Sequence, residues 1–378
     1  MIRAEICQIL PRTNMISIGH YEKTGMKDYE QTRHQNISYQ YRSYPKRDEF
    51  LDPDNTISKW VEERQRYRNP PGDHLRDGFA PAGMTTTDFT IIRHEGLFHF
   101  FACAGFPECF PNWPGQYEYV FHATTADLIS WTVHGIALQP HPDNEFERGK
   151  IWPPFVFRHG DVFAMIYCGL DANNCQCLCL ATSDDLFQWT RFPRNPIVNP
   201  GEHEWTLKRP DGKVRHCRDP HVEKIGDTYY LYYATVCEDG NPAVGLSATE
   251  DLNHWHDLGP CFKRTEGWVP ESPLVICRSD RYYLWIYPFD ELLISDNPTD
   301  FNRAKATQIQ MSEINEFYAP EIIDSRFGDG YLIGFHGHKG CRISLGVMTW
   351  ENDDITITCI DNEQQLKPWD FDHKKAQT

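Results

Sequence analysis

Three acidic residues stand where apolar runs begin. Asp88 precedes Phe89-Thr90-Ile91-Ile92, Asp219 precedes Pro220-His221-Val222, and Glu271 precedes Ser272-Pro273-Leu274-Val275. Carboxylates brought to one place repel one another, so a purely structural fold has no reason to gather three. Cleavage of a glycosidic bond does. One carboxylic acid protonates the leaving oxygen, and a second carboxylate acts as nucleophile or base on the opposite face of the sugar. A third can stabilise the oxocarbenium-like charge or hold a sugar hydroxyl. Taken singly, each acid reads as the cap of a strand turn; taken together, they read as a catalytic set.

The element that would bring them together is a repeat. Asp127-Leu128-Ile129-Ser130-Trp131 recurs as Asp185-Leu186-Phe187-Gln188-Trp189 and as Asp251-Leu252-Asn253-His254-Trp255, at intervals of roughly sixty residues. Each copy follows a small, Thr-containing run, which predicts a strand end, a turn closed by Asp and a Trp that anchors the next strand. A second unit precedes the first: an acidic or Pro-marked start, an apolar strand, a polar turn and an aromatic strand. It begins at Asp88, Pro154, Asp219, Glu271 and Pro320. Five such units with Gly/Asp turns predict an all-β fold, a five-bladed β-propeller of four-stranded blades over residues 77–361. The starts of the innermost strands then converge on a central funnel.

Outside the repeat, residues 1–76 form an N-terminal arm. Thr56 to Arg68 reads as a short helix, with Asp54 or Asn55 as its cap and Asn69-Pro70-Pro71-Gly72 as its stop. The arm can wrap the propeller or a neighbouring subunit, and the second placement would make the protein a homo-oligomer. Residues 362–378 read as a C-terminal tail.

Beyond the repeat, the chain resembles glycoside hydrolase family 32, the invertase and fructosidase family, and more distantly its five-bladed relatives in family 43. The run Pro81-Ala82-Gly83-Met84 ahead of Asp88 resembles the segment leading into the family's nucleophile motif. His122-Ala123-Thr124-Thr125-Ala126-Asp127-Leu128-Ile129-Ser130-Trp131 resembles a signature of its first blade. Arg218-Asp219-Pro220 matches its Arg-Asp-Pro motif, whose Asp stabilises the transition state, and Glu271-Ser272-Pro273 resembles its Glu-Cys-Pro motif, whose Glu is the acid/base. The resemblance thus implies Asp88 as nucleophile, Glu271 as acid/base and a retaining mechanism. There are departures. Thr87-Asp88-Phe89-Thr90-Ile91 keeps only the Asp of the family's Asn-Asp-Pro-Asn-Gly, Ser272 replaces a Cys, and few residues follow blade five where a β-sandwich is usual.

Around such a funnel, Trp113, Trp152, Trp268 and Tyr318 are candidate platforms for sugar faces, and Arg218 can bind a sugar hydroxyl or pair with a carboxylate. His336, with His338 near it, resembles a His near the axis in family 43. Two His alone do not make a metal site, so neither metal nor cofactor is expected.

Composition narrows the partners. A net charge of −17 excludes nucleic acid and anionic membranes, which reward clustered Lys and Arg. No apolar stretch is long enough to span a membrane, and Arg3 and Glu5 interrupt any leader-like run at the start. Thirteen cysteines, an odd number without framework spacing, read as free thiols in a reducing cytoplasm. Cys175, Cys177 and Cys179 would share one face of a strand as packing residues. A carbohydrate is the partner that remains. Two other readings stand beside the retaining glycosidase: an inverting arabinosidase or xylosidase of the family 43 kind, and a non-catalytic sugar-binding propeller.

Overall fold

The computed structural model of the chain describes residues 74–81, 85–105, 117–265, 267, 269–287, 291–312, 314, 317–327, 330–337 and 340–369. By compactness the chain divides into residues 1–51 and 52–378, and all described residues lie in the second unit. The expected helix at Thr56 to Arg68 falls outside them, as do Trp113, Trp268 and His338.

After a one-turn helix α1 (His74–Asp77), twenty strands follow. Blade 1 is β1 (Thr85–His94), β2 (Leu97–Gly105), β3 (Tyr117–Thr125) and β4 (Trp131–Leu138). Blade 2 is β5 (Lys150–His159), β6 (Val162–Leu170), β7 (Gln176–Ser183) and the short β8 (Thr190–Arg191). Blade 3 is β9 (Cys217–Ile225), β10 (Thr228–Val236), β11 (Pro242–Thr249) and β12 (His256–Lys263). Blade 4 is β13 (Glu271–Arg278), β14 (Arg281–Tyr287), β15 (Glu291–Ser295) and β16 (Lys305–Ser312). Blade 5 is β17 (Phe317–Phe327), β18 (Gly330–Gly337), β19 (Gly340–Glu351) and β20 (Asp354–Ile360). Each blade is an antiparallel meander in sequence order, and β1, β5, β9, β13 and β17 lie next to one another around the axis. The five-bladed propeller is therefore as the repeat predicts. A capped helical turn, α2 (Glu363–Leu366), follows the last strand.

The middle strands are buried almost throughout, as in β2, β6 and β11, because neighbouring blades cover both of their faces. That is why they read as unbroken apolar runs, whereas the outermost β12 shows exposed positions. The repeated Asp turns form as expected. In blade 2 the Asp185 carboxylate accepts from the amides of Phe187 (2.7 Å) and Gln188 (2.8 Å), while Ser183 Oγ accepts from Leu186 N at 2.8 Å. Leu128, Leu186 and Leu252 take φ of 61°, 66° and 60° there, a left-handed conformation stabilised by these bonds and by burial of the Leu side chain. Cys175, Cys177 and Cys179 are buried packing residues, as read from the sequence.

Two joints are not visible in the repeat. β16 pairs in parallel with β20, which fuses blades 4 and 5 into one eight-stranded sheet. At the other joint, between blades 5 and 1, Phe79 exchanges both backbone hydrogen bonds with Ile343 of β19 (2.9 and 2.8 Å). Its ring lies flat on Trp131 of β4, with centroids 3.9 Å apart. This strap closes the ring.

Candidate active site

Each innermost strand breaks its ladder near the axis. Register shifts fall between Thr86 and Phe89, Trp152 and Pro154, Glu271 and Leu274, and Tyr318 and Glu321, and opposite Tyr233 on β9. Pro154, Pro220, Pro273 and Pro320 explain four of them, since proline has no N–H to give the ladder. The residues ahead of three of these prolines, Asp219, Ser272 and Ala319, take φ of 56°, 46° and 48°. Backbone held in that sparsely populated region re-aims side chains, and here they face a common cavity.

The cavity, small and open to solvent, is lined by Asp88, Asp219 and Ser272 with Phe89, Pro153, Pro154, Pro220, Pro273, Ala319, Pro320 and Glu321. Counted back from the hairpin turn of each inner strand, Asp88, Pro153, Asp219 and Ser272 occupy one rung. Thr87, Trp152, Arg218 and Glu271 occupy the rung before. This corrects one expectation: Glu271 is the counterpart of Arg218, not of Asp88 and Asp219, because the strand start it marks lies one residue earlier.

That offset makes the contacts. Arg218 Nη2 donates to Glu271 Oε1 at 2.5 Å, and its Nε lies 3.7 Å from Asp219 Oδ2. Ser272 serves two acids at once: its amide donates to Asp219 Oδ2 at 3.1 Å, and its hydroxyl donates to Asp88 Oδ1. Thr87 Oγ1 donates to Asp88 Oδ2 at 2.8 Å. Asp88, Asp219 and Glu271 are thus brought together through Ser272 and Arg218.

Burial pushes the Asp88 pKa above the ordinary range, against the lowering effect of the Ser272 and Thr87 hydrogen bonds, and the Glu271 charge adds to the rise. Asp219 is pushed well up by burial and by the Asp88 charge, with Arg218 opposing. Arg218 itself stays charged, because the nearby Glu271 and Asp219 outweigh the effect of its burial.

The remaining candidates separate. Tyr318, half-buried, stacks near-parallel on His336 with centroids 5.7 Å apart, and lies 5.7 Å from Tyr287. Trp152 is half-buried against the apolar cluster between blades 2 and 3. His336 does not face the cavity. It is fully buried, pushed down to about pKa 3 by that burial, and its Nε2 shares a hydrogen bond of 2.9 Å with Thr86 Oγ1. Its neighbours make it a brace for β1 rather than a ligand contact. No group of His, Cys, Asp or Glu among the described residues suits a metal ion.

One lining acid was missed in the sequence: Glu321, seen there only as a strand start after Pro320. Its partner across the β17–β18 pair is Gly334, where an added Cβ would come within 2.7 Å of the Phe89 ring. Blade 5 therefore approaches blade 1 closely beside Asp88.

A family model described as the glycosyl hydrolases family 32 N-terminal domain matches residues 90–282, just over half of the chain. The chain belongs to this family. The family 32 match takes in Arg218, Asp219 and Glu271 and begins just after Asp88, where the local motif departs from the family's. Among curated relatives, a sucrose-6-phosphate hydrolase of Bacillus subtilis (strain 168) is 26% identical over 48% of this chain and 35% of its own length. One of Vibrio alginolyticus is 24% identical over 75% of this chain and 60% of its own. The chain thus spans less than two thirds of the length of these relatives. The solved sucrose-6-phosphate hydrolase of Lactobacillus gasseri has the same fold, with a TM-score of 0.63 at 14% identity over 86% of this chain and 69% of that one.

Proposed function

We propose that the five blades form a retaining glycosidase, or transglycosidase, that acts on a sugar of the sucrose type. The observation that carries the reading is Ser272, whose amide and hydroxyl tie Asp219 and Asp88 together beside Glu271. A protein that only bound sugar would not need three carboxylates linked at the mouths of three blades.

Asp88 is the nucleophile. Both of its oxygens accept hydrogen bonds that favour the charged form and fix its orientation. Glu271 is the acid/base. Arg218 engages Oε1, which leaves Oε2 as the oxygen to meet the leaving group. In the first step Glu271 gives its proton to the leaving oxygen while Asp88 attacks the anomeric carbon. The glycosidic C–O bond breaks and a glycosyl ester forms on Asp88. In the second step the Glu271 carboxylate takes a proton from water, or from an acceptor hydroxyl, whose oxygen displaces Asp88. Asp219, held by Ser272 N and Arg218, presents its carboxyl group to the oxocarbenium-like carbon or to a sugar hydroxyl beside it.

Support for the substrate class comes from the curated relatives, which are sucrose-6-phosphate hydrolases. A reducing compartment, the cytoplasm, suits the ten described cysteines, which are all free thiols. No helix among the described residues is long and apolar enough to cross a membrane.

The test is turnover of sucrose, sucrose-6-phosphate and a panel of nitrophenyl glycosides, with the first anomer released followed by NMR. Retained configuration, lost in Asp88→Asn, is expected. Inverted product would move Asp88 to a general-base role, and a wild type that turns over no glycoside would end the enzymatic reading.

A further inference from the structure

The pocket holds one more carboxyl, for which the mechanism above has no use. Glu321 on β17 lines the same cavity as Asp88, Asp219 and Ser272. The other three acids are engaged: Asp88 by Ser272 and Thr87, Asp219 by Ser272 and Arg218, Glu271 by Arg218. Glu321 has neither a hydrogen bond nor an ion pair among the described residues. Its carboxyl is half-buried at the wall of that open cavity, and natural structures match such groups with protein, water or ligand. Here the side chain faces the space that the sugar would enter.

Building on the glycosidase reading, we infer that Glu321 is a substrate-binding side chain, which pairs with one hydroxyl of the sugar ring held against Asp88. The charges around it decide its form. Of the charged groups, Asp88 from β1 and Asp219 from β9 share its cavity, and the Asp88 charge acts on it directly. Arg218 is already shared between Glu271 and Asp219, so little positive charge is left for a fourth anion. Burial and the Asp88 charge accordingly push the Glu321 pKa well above the ordinary range. Both effects favour the neutral form of Glu321. A neutral carboxylic acid has one O–H to donate and one carbonyl oxygen to accept, the pair that a sugar hydroxyl complements.

The neutral form also distinguishes Glu321 from the catalytic acids. A carboxamide mimics a neutral acid in shape and retains a donor and an acceptor, but cannot mimic a carboxylate. Glu321→Gln should therefore work, while Glu321→Leu, with similar bulk and no polar atom, should not.

The experiment measures kcat/KM for sucrose, or for whichever nitrophenyl glycoside the wild type turns over, and for its monodeoxy analogues. Wild type, Glu321→Gln and Glu321→Leu are compared. Glu321→Gln should stay within roughly 5-fold of wild type, and Glu321→Leu should fall on the order of 10- to 100-fold, the cost of one unmatched hydrogen-bonding group. With one monodeoxy analogue, which lacks the paired hydroxyl, wild type and Glu321→Leu should become equal, whereas the other analogues keep the difference. A Leu penalty equal for every analogue would show a packing role and overturn the inference. So would two variants with full activity, or a Gln variant as inactive as Asp88→Asn, which would mean that Glu321 works as an anion. A wild type inactive on every glycoside removes the proposed function and this inference together, so the two failures are distinct.

Discussion

The hydroxyl of Ser272 on blade 4 donates to the carboxylate of Asp88 on blade 1, across 184 positions of sequence. This bond favours the charged form of Asp88 against burial, which acts the other way. Without it the Asp88 pKa must rise, and the acid limb of the pH–rate profile must move towards neutrality. In Ser272→Ala, kcat/KM should fall about tenfold or more at acidic pH, the value of a hydrogen bond to a charged group. The loss should shrink as pH rises and Asp88 ionises regardless. Ser272→Cys, with a weaker donor, should lie between the two. A loss of the same size at every pH would contradict this account of Ser272.

Replacing Glu271 by Ala removes the proton donor but leaves the nucleophile. Substrates with poor leaving groups should slow on the order of 100-fold or more, and activated aryl glycosides far less, because they need little protonation. Asp88→Asn should abolish turnover of both. Leaving-group dependence of kcat, measured over a series of substituted phenols, provides the check, and equal losses across the series would remove Glu271 from the acid role.

Glu321 also makes a claim on stability. Its folded-state pKa is raised well above the ordinary value by burial and by the Asp88 charge. The folded protein therefore holds this proton more tightly than the unfolded chain. Its contribution to stability is present below the ordinary glutamate range and is lost as pH rises towards the raised folded value. Glu321→Gln lacks this slope. The melting temperature of wild type relative to Glu321→Gln should thus decline with rising pH, as followed by calorimetry in matched buffers. A difference that stays constant with pH would mean that Glu321 titrates normally.

The Asp turns are structural, and their loss should not touch catalysis. Asp185→Ala removes two bonds to backbone amides at an exposed turn and should cost about 1 kcal/mol, while kcat/KM remains within about twofold. Asp184→Ala, one residue away and without such bonds, should cost much less. Thermal melts of both variants beside their kinetics provide the comparison.

Those turns explain why the propeller was legible. An Asp that binds amides two and three residues ahead acts within one turn, so its signature survives at a fixed offset in every blade where it operates. Asp88, Asp219 and Glu271 stood out as candidates because each lies just ahead of an apolar run in an innermost strand. The phase of Glu271 was not: only the ladder shows that Ser272 stands level with Asp88 and Asp219, because the count must be taken from the far hairpin. Glu321 looked like any residue after a strand-opening proline. Its importance comes from facing a neighbouring blade, which no local pattern encodes. His336 misled for the related reason that closeness to the axis was taken for access to it. The parallel pairing of β16 with β20 and the pairing of Phe79 with Ile343 connect distant segments, and neither has a repeat to announce it.

The strap has a geometric consequence of its own. Blades 4 and 5 are one continuous sheet, so Glu271, Ser272 and Glu321 belong to one jaw. Asp88 belongs to the opposite jaw, and the short way round between them passes through the β1–β17 contact, which Phe79, Ile343 and Trp131 clasp. The ring is in this sense a caliper, and the gap it gauges is the one between nucleophile and acid. An opening of about 1 Å at the clasp is enough to spoil the alignment on which the chemistry depends. The fit between a phenylalanine and a tryptophan, together with the packing of Phe89 on Gly334, is therefore part of what holds the carboxylates in register.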